Sequence, residues 1–190
     1  MASEPKSPFW KANNLTNTGR MLLDDGSYDK AVACFDEALK HTSVAWHLKG
    51  VALFEMERFD DAIKCHEVAA QLDPENESVQ MGRGLALHGA KKYAEALVVY
   101  DAILKKDPEC PQAWFNKACA YSMMKRDDEA IDCVRKAHKI DAENTGIHLA
   151  VDEAFERLRK TVKFERLLAE FRDKEPAKVK AAWCGAEYIR

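Results

Sequence analysis

Histidine and cysteine, six of each in this 190-residue chain, are the side chains best suited to hold a metal or attack a carbonyl. Their spacing serves neither purpose. A C-x-x-C or H-x-x-x-H pattern brings ligands onto one ion; neither occurs, and Cys65-His66 and Cys133 with His138 are the nearest pairs. Nucleophilic catalysis needs a nucleophile, a base and an orienting group within hydrogen-bond reach, and no Ser/His/Asp set offers that. Gly82, Gly84 and Gly89 sit in the run Gly-Arg-Gly-Leu-Ala-Leu-His-Gly. A phosphate loop needs its third glycine closer and a strand before it, whereas this run lies inside a helical pattern. No catalytic residue, metal or cofactor is expected, and the chain reads as a non-enzyme.

Net charge is -3 and the sequence pI about 6.1, so no global field draws the chain to phosphate backbones or anionic lipid. The C-terminal stretch differs: from Glu156 to Arg190 there are ten Lys/Arg against six Asp/Glu. Its run Arg157, Arg159, Lys160, Lys163 and Arg166 has interleaved Glu156 and Glu165, which marks a solvated helical face more than a nucleic-acid site. The start MASEPKSPFWK lacks a cationic end followed by an apolar stretch, and no segment reaches the roughly 18 apolar residues of a membrane span. A cytoplasmic protein with reduced thiols is expected, because Cys34, Cys65 and Cys133 all fall fifteen residues after a small residue and so reuse one helix face.

The elements that would position any site follow from a repeat. Gly50 and Gly84 lie 34 residues apart, each followed twelve residues later by Ala62 or Ala96 and twenty-four later by Pro74 or Pro108. The frame extends back to Gly19, Ala31, Phe35 and Ala38 and forward to Ala118, Ala130 and Ala137, with Trp46 and Trp114 four residues ahead of the small residue. Apolar residues recur at spacings of three and four on both sides of short polar turns, so each unit is an antiparallel helix pair. Each glycine is expected to face the small alanine of its pair, and Asp60, Asp61, Asp127 and Asp128 to cap second helices. His66, at the phase of Phe35 and Tyr100, reads as a packed core histidine.

A 34-residue period with small residues at these offsets resembles the tetratricopeptide repeat, a helix–turn–helix unit that stacks into a solenoid. The resemblance covers about residues 12–175. It implies an all-α, right-handed superhelix of pairs at about 12–43, 44–77, 78–111 and 112–145, and a diverged fifth at 146–175 with Asp152 in the small position. Residues 1–11 form a flexible lead-in, and 176–190 a capping helix anchored by Trp183.

The resemblance also implies a non-catalytic scaffold whose concave face, lined by the first helix of each pair, holds a partner's peptide or helix. Chaperone-binding members grip a C-terminal carboxylate with Lys, Asn and Arg. At those phases this chain has Thr16, Arg20, Leu48, Ser78 and Gly82, or His47, Val51, Gly82, Gln112 and Asn116, so such tails are disfavoured. The groove instead offers His47, Val51 and Phe54, then Met81, Leu85 and His88, then Phe115, Asn116, Cys119 and Met123, which suits an apolar peptide or amphipathic helix. Self-assembly through the diverged end or the cap, and weak binding of nucleic acid or an acidic partner through the basic end, are the alternatives.

Overall fold

A computed structural model describes residues 8–38 and 42–174; the expected lead-in before Pro8 and the cap at 176–190 with Trp183 lie outside them. The described residues form helices joined by short turns, with no strand, and fall into two compact units that meet in sequence between Lys92 and Tyr93. The first holds α1 (Pro8–Asp24), α2 (Tyr28–Ala38), α3 (Ser43–Glu55), α4 (Phe59–Leu72) and α5 (Glu77–Gly89). The second holds α6 (Tyr93–Lys106), α7 (Pro111–Met123), α8 (Asp127–Ile140), α9 (Ala142–Val151), a 3-10 turn at Glu153–Phe155, α10 (Glu156–Arg159) and α11 (Val162–Lys174). Helix α1 begins at Pro8, ahead of Ala12, where the apolar period becomes legible. Proline suits a first turn because the N–H it lacks would be unsatisfied there.

One closure ends α1, α3, α5 and α7. The residue after the C-cap turns left-handed: Gly26 at φ 74°, Glu57 at 57°, Lys91 at 60° and Lys125 at 61°. Two amides then reach back to orphan carbonyls: Arg58 N donates to Leu53 O at 2.8 Å and Glu57 N to Phe54 O at 2.9 Å, and Arg126 and Lys125 bond Tyr121 O and Ser122 O likewise. This double bond pattern reverses the chain in three residues. It also corrects the expected capping. Arg58 and Arg126 occupy the N-cap positions of α4 and α8, and Asp60, Asp61, Asp127 and Asp128 lie inside the first turns of those helices. There they complement the dipole and bind cations, Asp61 to Arg58 and Asp60 to Lys92. Side-chain caps come instead from Thr42, Asn76 and Asp141.

The close approach within a pair also differs from the expectation. A Cβ added at Gly19 would lie 2.5 Å from the Phe35 ring, and one at Gly50 would lie 2.8 Å from the His66 ring. The glycine thus makes room for the ring four residues beyond the alanine, while Ala31 and Ala62 are fully buried beside it. His66 needs room on two sides, since a Cβ at Gly82 on α5 would meet its imidazole at 2.6 Å.

In the second unit the fifth pair is broken at Asp152. Its carboxylate accepts from Ala154 N at 2.8 Å, so the chain leaves the helix and enters the 3-10 turn. The Arg159 guanidinium donates to Leu149 O and Asp152 O, each at 2.9 Å, and satisfies carbonyls exposed by the break. Phe155 then drops into a core shared with Phe115, Leu149, Leu158, Phe164, Leu167 and Phe171, with Leu168 packed at its edge.

Candidate functional site

In the first unit, α1 touches α3 and α3 touches α5, so three first helices stand side by side. Residues at four shared phases, counted from Gly19, Gly50 and Gly84, form rows across them: Asn13, Val44, Ser78; Thr16, His47, Met81; Arg20, Val51, Leu85; and Leu23, Phe54, His88. None of these twelve is buried, although eight are Val, Leu, Met, Phe or His. Apolar side chains left accessible in adjoining rows make this face a candidate interaction surface.

The wall is nearly without charge. Arg20 is its one formal ion. His47 is held below the usual histidine range by burial, and its ring lies 5.2 Å from that of His66, centroid to centroid. His66 is 1% exposed, and its Nδ1 has no hydrogen-bond partner. Burial first, and then the neighbouring His47, pushes it down to about 4, so it is neutral at pH 7. The three glycines that invited a phosphate-loop reading therefore include one, Gly82, that makes room for this ring. Phe54 meets Phe59 edge-on at 5.4 Å, closing the turn end of the wall.

The second unit treats the same phases differently, and this corrects the sequence reading. Phe115 is 9% exposed, with its ring 5.4 Å from His148 and 5.5 Å from Phe155. Cys119 is buried too, and its Sγ donates to Asp152 Oδ2 at 3.6 Å. The chain's own α9 and 3-10 turn cover both residues, because Asp152 breaks the fifth pair directly over them. Asn116 remains half-buried and Met123 exposed. The signal for this closure was Asp152 itself, a charged residue where the repeat demands a small one. The wall residues outside the expected groove are Thr16, Arg20 and Leu23, which the groove phases reach when carried back to repeat one, and Asn13, Val44 and Ser78, which share a phase six residues ahead of the small residue.

The basic run does not form a free cationic face. Arg157 binds Asp127 through both terminal guanidinium nitrogens, Lys163 binds Asp128 at 2.6 Å and Lys160 binds Glu156 at 2.9 Å. The hydrogen bond from Arg157 holds the Asp127 carboxyl below its ordinary range. The five described cysteines are free, and burial raises Cys65, Cys119 and Cys133, the last to about 11, so these thiols stay protonated and poorly nucleophilic. Among the described residues no helix is long and apolar enough to cross a membrane, and no three His, Cys, Asp or Glu side chains converge as metal ligands.

Sequence profiles of the tetratricopeptide repeat match residues 16–64, 47–107 and 87–153. Anaphase-promoting complex subunit 3 of Schizosaccharomyces pombe is 26% identical over 137 residues, covering 70% of this chain and 20% of that relative, so the chain spans about a fifth of its length. Among solved structures, MamA from Desulfovibrio magneticus RS-1 aligns with a TM-score of 0.69 at 21% identity, over 87% of this chain and 98% of that one. A thermophilic TPR protein of Thermus thermophilus aligns with a TM-score of 0.67 at 15% identity, over 94% of this chain and 100% of that one. At these identities the likeness to solved structures is one of fold.

Proposed function

Because the chain belongs to the tetratricopeptide repeat family, whose stacked helix pairs generally serve protein interaction and not catalysis, we propose that it is a non-catalytic adaptor. It holds an amphipathic helix or apolar peptide of a partner on the wall of α1, α3 and α5. The observation that carries this reading is the accessibility of all twelve wall residues. The matching phases of repeat four are sealed at Phe115 and Cys119.

The mechanism is preorganisation. Paired helices fix the wall residues before the partner arrives, so ordering cost falls mainly on the partner and not on the groove. His66 supports the wall from beneath by wedging between Gly50 of α3 and Gly82 of α5.

The test compares capture of partners from a native lysate by the full chain, by Leu85→Glu on the wall, and by Val98→Glu, an exposed position on α6. Circular dichroism establishes that both variants fold. The Leu85 variant loses the partners and the Val98 variant keeps them. Retention of every partner by folded Leu85→Glu overturns the reading.

A further inference from the structure

The wall's charge pattern says more about its guest than its apolar character does. Arg20 shares a row with Val51 and Leu85, on α1, α3 and α5 respectively. It is exposed, and among the described residues no carboxylate pairs with it, its neighbour one turn on, Asp24, included. The other two members of the row are apolar, and Leu85 is 36% exposed. One unpaired cation followed by two aliphatic side chains on successive helices forms a directional pattern across the wall.

Helix axes in contact lie about 8–10 Å apart. A guest helix crossing the three wall helices advances about 1.5 Å per residue, so it meets each new wall helix after roughly five to seven residues, the wider spacing coming close to two turns. Two turns return the same face of the guest to the wall. Asp24 and Glu55, at the next phase towards the turns and both exposed, make that edge of the wall acidic. A guest carboxylate there is repelled, which favours its placement at the level of Arg20.

On the reading that this wall holds a partner helix, we propose that the guest is an amphipathic helix carrying an Asp or Glu side chain with two large apolar side chains about seven and fourteen residues away, both on the same side of it in sequence. The carboxylate meets Arg20 and the apolar pair meets Val51 and Leu85. The guest segment is internal to its own chain, and its side-chain carboxylate, not a chain terminus, is what Arg20 reads. Formation of the ion pair favours one direction of the guest across the wall, because reversal places an apolar residue against Arg20 and the carboxylate against Leu85.

The test uses synthetic helical peptides of about 18 residues, acetylated and amidated so that no terminal charge competes, with binding read by fluorescence anisotropy against the full chain. The first has glutamate followed by leucines at the two-turn spacing; the second has lysine in place of glutamate; the third has its glutamate at the central position, between the two leucines. The first peptide binds tighter than the lysine peptide by about threefold or more, the scale of an exposed ion pair against a like-charge contact, and tighter than the peptide with the central glutamate. Arg20→Gln brings the first two peptides to within about twofold of each other. Equal affinities on the unsubstituted chain, or a preference that survives Arg20→Gln, overturn the charge assignment while leaving the groove in place. Binding of all peptides that is indifferent to Leu85→Glu, or no binding by any of them, overturns the groove as well.

Discussion

Acid should loosen the first unit through His66, and the size of the effect follows from where its ring sits. The imidazole is 1% exposed, walled by Gly50 and Gly82, with an unpartnered Nδ1 and the His47 ring 5.2 Å away. Burial lowers its pKa from 6.5 to about 4, so the unfolded chain takes up the proton first as pH falls. The stability held by neutral His66 is complete above about pH 6.5 and is lost progressively down to about pH 4. At about 1.4 kcal/mol for each tenfold change in proton affinity, the step from 6.5 to about 4 amounts to roughly 3 kcal/mol. Urea unfolding of the chain and of His66→Phe, followed by circular dichroism from about pH 7.5 to pH 4, separates this loss from that of the carboxylates, since only His66 differs. Phenylalanine is the replacement of choice because Phe35 fills the same phase against Gly19. The variant should lose less stability over that range by about the stated amount. Parallel pH profiles for the two proteins, or a His66 ring resonance that titrates at pH 6 or above, refute the reasoning.

Other outcomes follow from the same geometry. Glu57→Gly, Lys91→Gly and Lys125→Gly relieve left-handed backbone at φ 57°, 60° and 61°; each should stabilise by about 0.5–1 kcal/mol in urea titration, and a loss in all three contradicts the assigned closure. Phe115→Ala empties the core beneath His148 and Phe155 and should cost about 3–5 kcal/mol, read as early unfolding of the second unit in hydrogen exchange; an unchanged unit means that Phe115 is not packed there. Arg157→Ala removes the bridge to Asp127, whose partners are 44% and 24% exposed, so its cost should stay near 0.5–1 kcal/mol and shrink in high salt. A salt-independent loss of several kcal/mol would mean that Arg157 acts through packing.

The helix pairs were legible because a solenoid repeats its packing problem. Gly19 and Gly50 recur where the rings of Phe35 and His66 must approach, and the repeat of small residues reflects that need. The direction of the glycines was not legible, since a period locates a contact without saying whether Ala31 or Phe35 fills it. The turns were hidden for a related reason. Glycine announces a left-handed residue at Gly26, but Glu57, Lys91 and Lys125 adopt the same conformation without any compositional sign. The repeat-four part of the candidate site failed at Asp152, where a local side chain-to-backbone bond competed with the helix and won, sealing Phe115 and Cys119. The basic run misled in the opposite sense: Arg157 and Lys163 bond to Asp127 and Asp128, 30 and 35 residues away, a pairing that only folding creates.

Methyl chemical-shift mapping of the full chain on titration with the glutamate–leucine peptide tests the central claim most directly. The account predicts that the methyl resonances of Val51, Met81 and Leu85 move together and saturate at one affinity, while those of Val98 on α6 and Leu149 in the core of the second unit stay in place. Shifts confined to Val98 or Leu149, with Val51 and Leu85 unmoved while the peptide is bound, would contradict it.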